Sequence, residues 1–295
     1  MGKVVSFINY KGGVGKTTLA VEISAALAYH YGKKVLLVDA DPQTNATFYL
    51  MDEEDWENWQ NEAGTLKDVF DNFLHDRGAD VDIKEMIKRD LAVSSMRLHL
   101  HLLPSHIELY HIDLKLAGKF GSTGIRPKKF LKTALESIRN DYDYIIIDCP
   151  PNLNLVTQNS IVASDSIVIV LKPEYLSTIG IALILRVIKE IVHEINEDLK
   201  SLGVGGHYAG PEIAGMIFNF VKYVTGGTKS QDSIINAVKN QYGNLVFENY
   251  LSESTKLAER PREKIPIAVS GYAADRNYEK QLKEITKEFL QRIGS

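Results

Sequence analysis

Asn9-Tyr10-Lys11-Gly12-Gly13-Val14-Gly15-Lys16-Thr17-Thr18, NYKGGVGKTT, is a glycine-lysine loop that departs from the ordinary phosphate-binding pattern. That pattern, G-x-x-x-x-G-K-[ST], asks for glycine where this chain has Tyr10. A second lysine, Lys11, precedes the glycines. The loop follows the apolar run Val4-Val5-Ser6-Phe7-Ile8. It opens a stretch, Thr17 to Tyr31, with Leu19, Ile23, Ala26 and Leu27 at helical spacing. This order reads as strand, loop, helix. Backbone N–H groups in such a loop face an anion, and the helix N-terminus adds a favourable field. Lys16 is placed to reach β- and γ-phosphates, and Thr17 to ligate Mg²⁺. The dinucleotide fingerprint G-x-G-x-x-G is absent from the loop, which disfavours a dehydrogenase.

Outward from the loop, KVLLVD (34–39), YIIID (144–148), SIVIVL (166–171) and Ile213–Phe218 are further buried-strand runs, with Leu245–Phe247 a weaker sixth. Helical candidates lie at 126–139, 154–163, 178–199, 229–241 and 275–293. Continuous apolar strands alternating with helices predict an α/β fold, a doubly wound, mostly parallel sheet flanked by helices. Residues 52–90 differ: they are acidic, hold Trp56 and Trp59 and lack strong strand runs, so they read as helical decoration on a single domain spanning 1–295.

The 295 residues suit one large α/β domain, and 44% hydrophobic content supports a sizeable core. The net charge of −4 means that any nucleic-acid contact needs a local basic patch. The one cysteine, Cys149, cannot form an internal disulfide and suits a reducing cytoplasm. The glycine loop begins too early for a secretory signal, and no apolar run approaches the ~20 residues of a membrane span.

Acids mark the strand ends. Asp39 and Asp41 close KVLLVD within VDADPQTN, and Asp148 closes YIIID. Ligands of open α/β sheets sit at such carboxyl ends. A lone strand-end aspartate is usually a cap or turn residue, but three beside a phosphate loop point to Mg²⁺ and phosphate chemistry. His99, His101, His106 and His111 lack a cysteine or carboxylate cluster to complete a metal site and read as ordinary histidines.

KGGVGKTT, VLLVDADPQTN and YIIIDCPPNL together resemble the P-loop NTPases of the deviant Walker A type, specifically the ParA partition ATPases within the ParA/MinD superfamily. LLPSHIELYHIDLKLA, LKPEYLSTIGI and, more loosely, STKLAERPREKIPIAVSG extend the likeness over most of the chain outside 52–90. The resemblance implies that Lys11 crosses a dimer interface to the partner's ATP. Gly12, Gly13, Val14, Gly15, Lys16, Thr17 and Thr18 would cradle the phosphates. Thr17, with Asp39 and Asp148 through water, would serve Mg²⁺. Asp41 would position or activate the attacking water, and Asn219 and Pro266 would flank adenine.

The family likeness further implies ATP-dependent homodimers that bind DNA non-specifically, with hydrolysis stimulated by a ParB-like adaptor. The expected place is the cytoplasm, on the nucleoid. Lys222, Lys229, Lys256, Arg260, Arg262 and Lys264 are the candidate DNA contacts. No helix-turn-helix precedes the loop, so operator binding is not expected. The alternative is a MinD-like membrane-cycling ATPase, which needs a terminal amphipathic anchor. Tyr278, Leu282, Ile285, Phe289 and Ile293 form an apolar stripe, but Glu279, Glu284 and Glu288 disfavour anionic lipid, so a packed helix and no stable membrane association are expected. An iron–sulfur protein needs more cysteines.

Overall fold

The computed structural model describes residues 1–75, 82–91, 93, 98–121, 125–203, 205–222 and 231–294, apart from the side chains of 176–178, 256 and 258. The regular elements are β1 (Lys3–Ile8), α1 (Lys16–Tyr31), β2 (Val35–Asp39), α2 (Asn45–Leu50), α3 (Glu53–Glu62), α4 (Leu66–Leu74), β3 (Leu100–Leu103), α5 (Leu109–Phe120), α6 (Phe130–Glu136), β4 (Tyr144–Asp148), α7 (Leu155–Ala163), β5 (Ser166–Leu171), α8 (Tyr175–Ser201), β6 (Glu212–Phe218), α9 (Asp232–Tyr242), α10 (Thr255–Glu259) and α11 (Arg276–Ile293).

The strands form one six-stranded sheet in the order β3-β2-β4-β1-β5-β6. Every pairing is parallel. Alternate residues of each central strand enter opposite cores: Val4 and Ile8 of β1 pack on one side, Val5 and Phe7 on the other. Both faces are therefore covered, which explains why these strands read as unbroken apolar runs. Because all strands run the same way, their carboxyl ends share one rim, where the chain reverses direction around β1.

Three local outcomes differ from the sequence expectation. Leu245–Phe247 is no full strand: Val246 makes a single parallel bridge to Met216, after a 3-10 turn at Gly243–Leu245. The sixth strand is β3, whose run Leu98–Leu103 alternates leucine with His99 and His101. Leu100 and Leu102 are buried while His101 is partly exposed, the period-2 pattern of a half-covered edge strand. Third, the expected helix 126–139 is broken into a 3-10 turn over Arg126–Lys128, α6, and a second 3-10 turn over Arg139–Asp141.

Within the acidic stretch 52–90, Glu53–Glu62 and Leu66–Leu74 form α3 and α4. Asp52 caps α3 by accepting from Asp55 N at 2.7 Å, and Thr65 and Asp68 form a capping box on α4. Trp56 and Trp59 are partly buried; their indole nitrogens donate to Ser105 O and Met86 O. They anchor α3 to the sheet layer rather than standing free. At the other end of the chain, Leu282, Ile285 and Phe289 of α11 are fully buried against α1 and the sheet. The apolar stripe is thus used internally. Among the described residues no helix is long and apolar enough to cross a membrane.

Candidate functional site

The phosphate loop joins β1 to α1 at the shared rim. Gly13 and Gly15 adopt left-handed φ of 72° and 85°. At Gly15 a side chain is excluded twice, by conformation and by space, since an added Cβ would stand 2.0 Å from Asn219 Nδ2. Gly15 caps α1 without a side-chain hydrogen bond, and the first turn holds no acid. The orphan N–H groups of that turn are therefore left for an anion. Val14 is buried; Gly12 and Gly13 are exposed and Thr17 and Thr18 partly so.

The three acids converge beside this loop. Asp39 and Asp148 are paired neighbours at the ends of β2 and β4. Asp39 is fully buried: its Oδ1 accepts from Asp41 N, and its Oδ2 from the backbone and hydroxyl of Thr47 at 2.8 and 2.7 Å. Burial pushes its carboxyl up to about 7 against those bonds. Asp148 is fully buried and neither oxygen has a hydrogen-bond partner. Burial and then the Asp39 charge raise it well above the usual carboxylate range, while Thr17 and Lys16 act in the other direction. Asp41, almost buried, accepts from Gln43 N at 2.9 Å; burial raises its pKa, and the Gln43 bond and Lys16 oppose that. Lys16 is only 6% exposed and is lowered by burial, against the pull of Asp148 and Asp41.

Three carboxylates share one buried ammonium, so the rim is short of positive charge. An orphaned carboxylate beside a threonine hydroxyl fits a hard divalent cation that keeps water and phosphate oxygens as its other ligands. No cluster of three metal-binding side chains exists among the described residues. Asp148 and Thr17 are the direct candidates. Asp39 is already engaged by Thr47 and Asp41, so it would reach such a cation only through water, and it fixes the loop carrying Asp41.

Lys11 stands apart from this cluster. Its Nζ pairs with Glu174, which also binds Lys172 at 2.9 Å. Glu174 carried no role in the sequence reading; its signal was an acid just past the end of the strand beside β1.

On the other flank, Asn219 at the end of β6 is fully buried, with Nδ2 donating to Val14 O and Gly15 O at 3.2 and 3.3 Å. In this arrangement it braces the phosphate loop rather than facing an open base pocket. Pro266 is buried and begins the 3-10 turn Ile267–Val269. Buried Glu22 of α1 accepts from Ile267 N, Ala268 N and the Tyr49 hydroxyl, tying that turn to α1 and α2. Sequence reasoning missed Glu22, since a charge on a helix normally faces water.

The expected DNA contacts separate. Arg260 is 6% exposed and its guanidinium pairs with Asp275, fully buried, and Glu263. This corrects its assignment as a surface phosphate ligand: a phosphate would have to displace an internal partner. Arg260→Ala should lower unfolding free energy by about 3–5 kcal/mol in a urea melt, because it strands Asp275 in the interior. Lys264 donates to Phe48 O, and half-exposed Lys222 pairs with Glu253 at 3.3 Å. Arg262 is exposed. Lys229 and the Lys256 side chain lie outside the described residues.

A phosphate-binding loop between a parallel strand and a helix, with acids at the neighbouring strand tips, defines a P-loop nucleoside triphosphatase. The AAA-domain family model matches residues 2–201. The chain is 34% identical to the sporulation initiation inhibitor protein Soj of Bacillus subtilis over 90% of both chains. It is 31% identical to the chromosome-partitioning ATPase Soj of Treponema pallidum, over 99% of this chain and all of the relative. Apo McdA of Cyanothece superposes with TM-score 0.72 at 26% identity over 98% of this chain and all of that one, and a variant of that protein has been seen in complex with ATP. The chain belongs to the ParA-type partition ATPases, and it is an ATPase.

Proposed function

We propose that ATP with Mg²⁺ closes two copies of this chain face to face, and that the closed dimer binds DNA without sequence preference to position a large cargo over the nucleoid. The observation that supports this reading is the location of Lys11. The second loop lysine is partly exposed and engaged with Glu174 rather than with a buried acid. From there its charge is available to a nucleotide held by a second copy.

Large apolar side chains are exposed on the loop and near α5 and α8. Tyr10, Tyr175 and Ile179 are 49%, 73% and 56% exposed on one side, and Ile107, Tyr110 and Leu114 between 67% and 68% on the α5 side. Exposed apolar groups flanking a charged cleft suit a two-fold interface. Lys16 and the N–H groups of the loop would hold the phosphates, and Thr17 and Asp148 would hold Mg²⁺, which would supply positive charge against the transferred phosphoryl group. Asp41 orients and accepts the proton of the attacking water. Hydrolysis, stimulated by a ParB-like adaptor, reopens the dimer and releases DNA. ATP drives the cycle only through its differential affinity for the closed dimer.

The test is binding to non-specific duplex DNA with ATP, ADP and no nucleotide, at two salt concentrations. Binding that needs ATP and weakens steeply with salt supports the reading. DNA binding in no nucleotide state would remove the nucleoid role and favour a protein or membrane scaffold. Within that assay Arg262→Ala should reduce the salt slope by about 1, whatever the sequence of the duplex.

A further inference from the structure

The short stretch Asn9–Lys11 is held from below. Asn9 donates to Val170 O at 2.6 Å and accepts from Lys11 N at 2.8 Å. The Tyr10 ring lies against Gly180 of α8, where an added Cβ would stand 3.4 Å away. The backbone of Lys11 is thus pinned to β5 and α8, and only its side chain is left to swing. That side chain ends on Glu174, which stands between β5 and α8 and takes Lys11 on one carboxylate oxygen and Lys172 on the other. The pairing lowers the Glu174 pKa, Lys11 contributing most.

We propose that Glu174 is a positioning residue for Lys11: with Lys172 it holds the lysine folded back on its own subunit until a second, nucleotide-loaded copy draws it away. This rests on the reading that Lys11 acts on the partner's nucleotide. The side chains of Lys11 and Glu174 are 31% and 39% exposed, so the pair is a shallow one that phosphate charge can outcompete. A stronger, buried pair would trap the lysine; no pair would leave its long side chain unordered before assembly. The Lys172 charge beside Glu174 gives the vacated carboxylate a remaining partner, so release of Lys11 does not leave it alone. In a two-fold dimer both latches must open, so their free-energy costs add and their effects on the dimerisation constant multiply.

The measurement is the dimerisation constant by sedimentation equilibrium with a non-hydrolysable ATP analogue, for wild type, Glu174→Gln, Lys11→Ala and the double variant. Glu174→Gln should tighten the dimer several-fold, up to about 30-fold for two exposed ion pairs. The gain should shrink in molar salt, which screens such pairs. In the Lys11→Ala background Glu174→Gln should change nothing. A Glu174→Gln dimer of unchanged or weaker affinity would overturn the latch. So would a gain that persists without Lys11, which would place the effect elsewhere at the interface. If Lys11→Ala alone dimerised like wild type, the trans role of Lys11 would fail, and that outcome is separate from any result with Glu174.

Discussion

Asp41→Ala should abolish most ATP turnover, by about 10²–10⁴-fold, while leaving nucleotide binding in place. Asp41 reaches its position through its neighbours. Its Oδ1 accepts from Gln43 N, and its carbonyl accepts from Ser105 Oγ at 2.7 Å. Its backbone N–H is in turn held by Asp39. Burial raises the affinity of this carboxylate for a proton, and Lys16 limits the rise. A carboxylate whose proton affinity is raised is a stronger general base toward water. The substitution removes that base and one of the charges acting on Lys16, but leaves the loop N–H groups, Lys16, Thr17 and Asp148 themselves in place. The variant should therefore accumulate in the ATP state and stay on DNA. Phosphate release and DNA retention, measured together, check this; turnover at the wild-type rate would take Asp41 out of the reaction.

Lys11→Ala should lower adaptor-stimulated turnover by about 10²–10³-fold, the scale of one lost electrostatic contact to transition-state charge, and should also weaken ATP-dependent dimerisation. The folded state should be nearly unaffected, because the partner lost among the described residues is Glu174 in a partly exposed pair. Lys16→Ala differs in kind. Lys16 is the buried cation of the acid cluster, and its loss should impair nucleotide binding itself. The contrast between the two lysines, binding kept in one variant and lost in the other, can be read by nucleotide titration.

The loop and strand ends were legible in the sequence because their chemistry and their periodicity coincide: GGVGK sits where a continuous apolar strand turns into a helix, and Asp39 and Asp148 each end such a strand. β3 was harder. Its histidines interrupt the apolar run, although alternation with leucine was the signal to follow. Arg260 misled because its local context, RPR, resembles a surface basic loop, while its partner Asp275 lies 15 residues away and is buried. Glu22 was invisible for a similar reason: its three donors come from Tyr49, Ile267 and Ala268, which only the fold assembles. Charges whose partners are distant in sequence are those that sequence pattern assigns poorly.

The most direct measurement mixes the two inactive variants. A Lys11→Ala subunit keeps its own Asp41, and an Asp41→Ala subunit keeps the lysine that the other lacks. If Lys11 acts across the interface, each mixed dimer contains one complete site. ATP turnover should then reappear on mixing two proteins that are inactive alone. No turnover at any mixing ratio, although mixed dimers form, would mean that Lys11 serves its own subunit and would contradict the proposed sandwich.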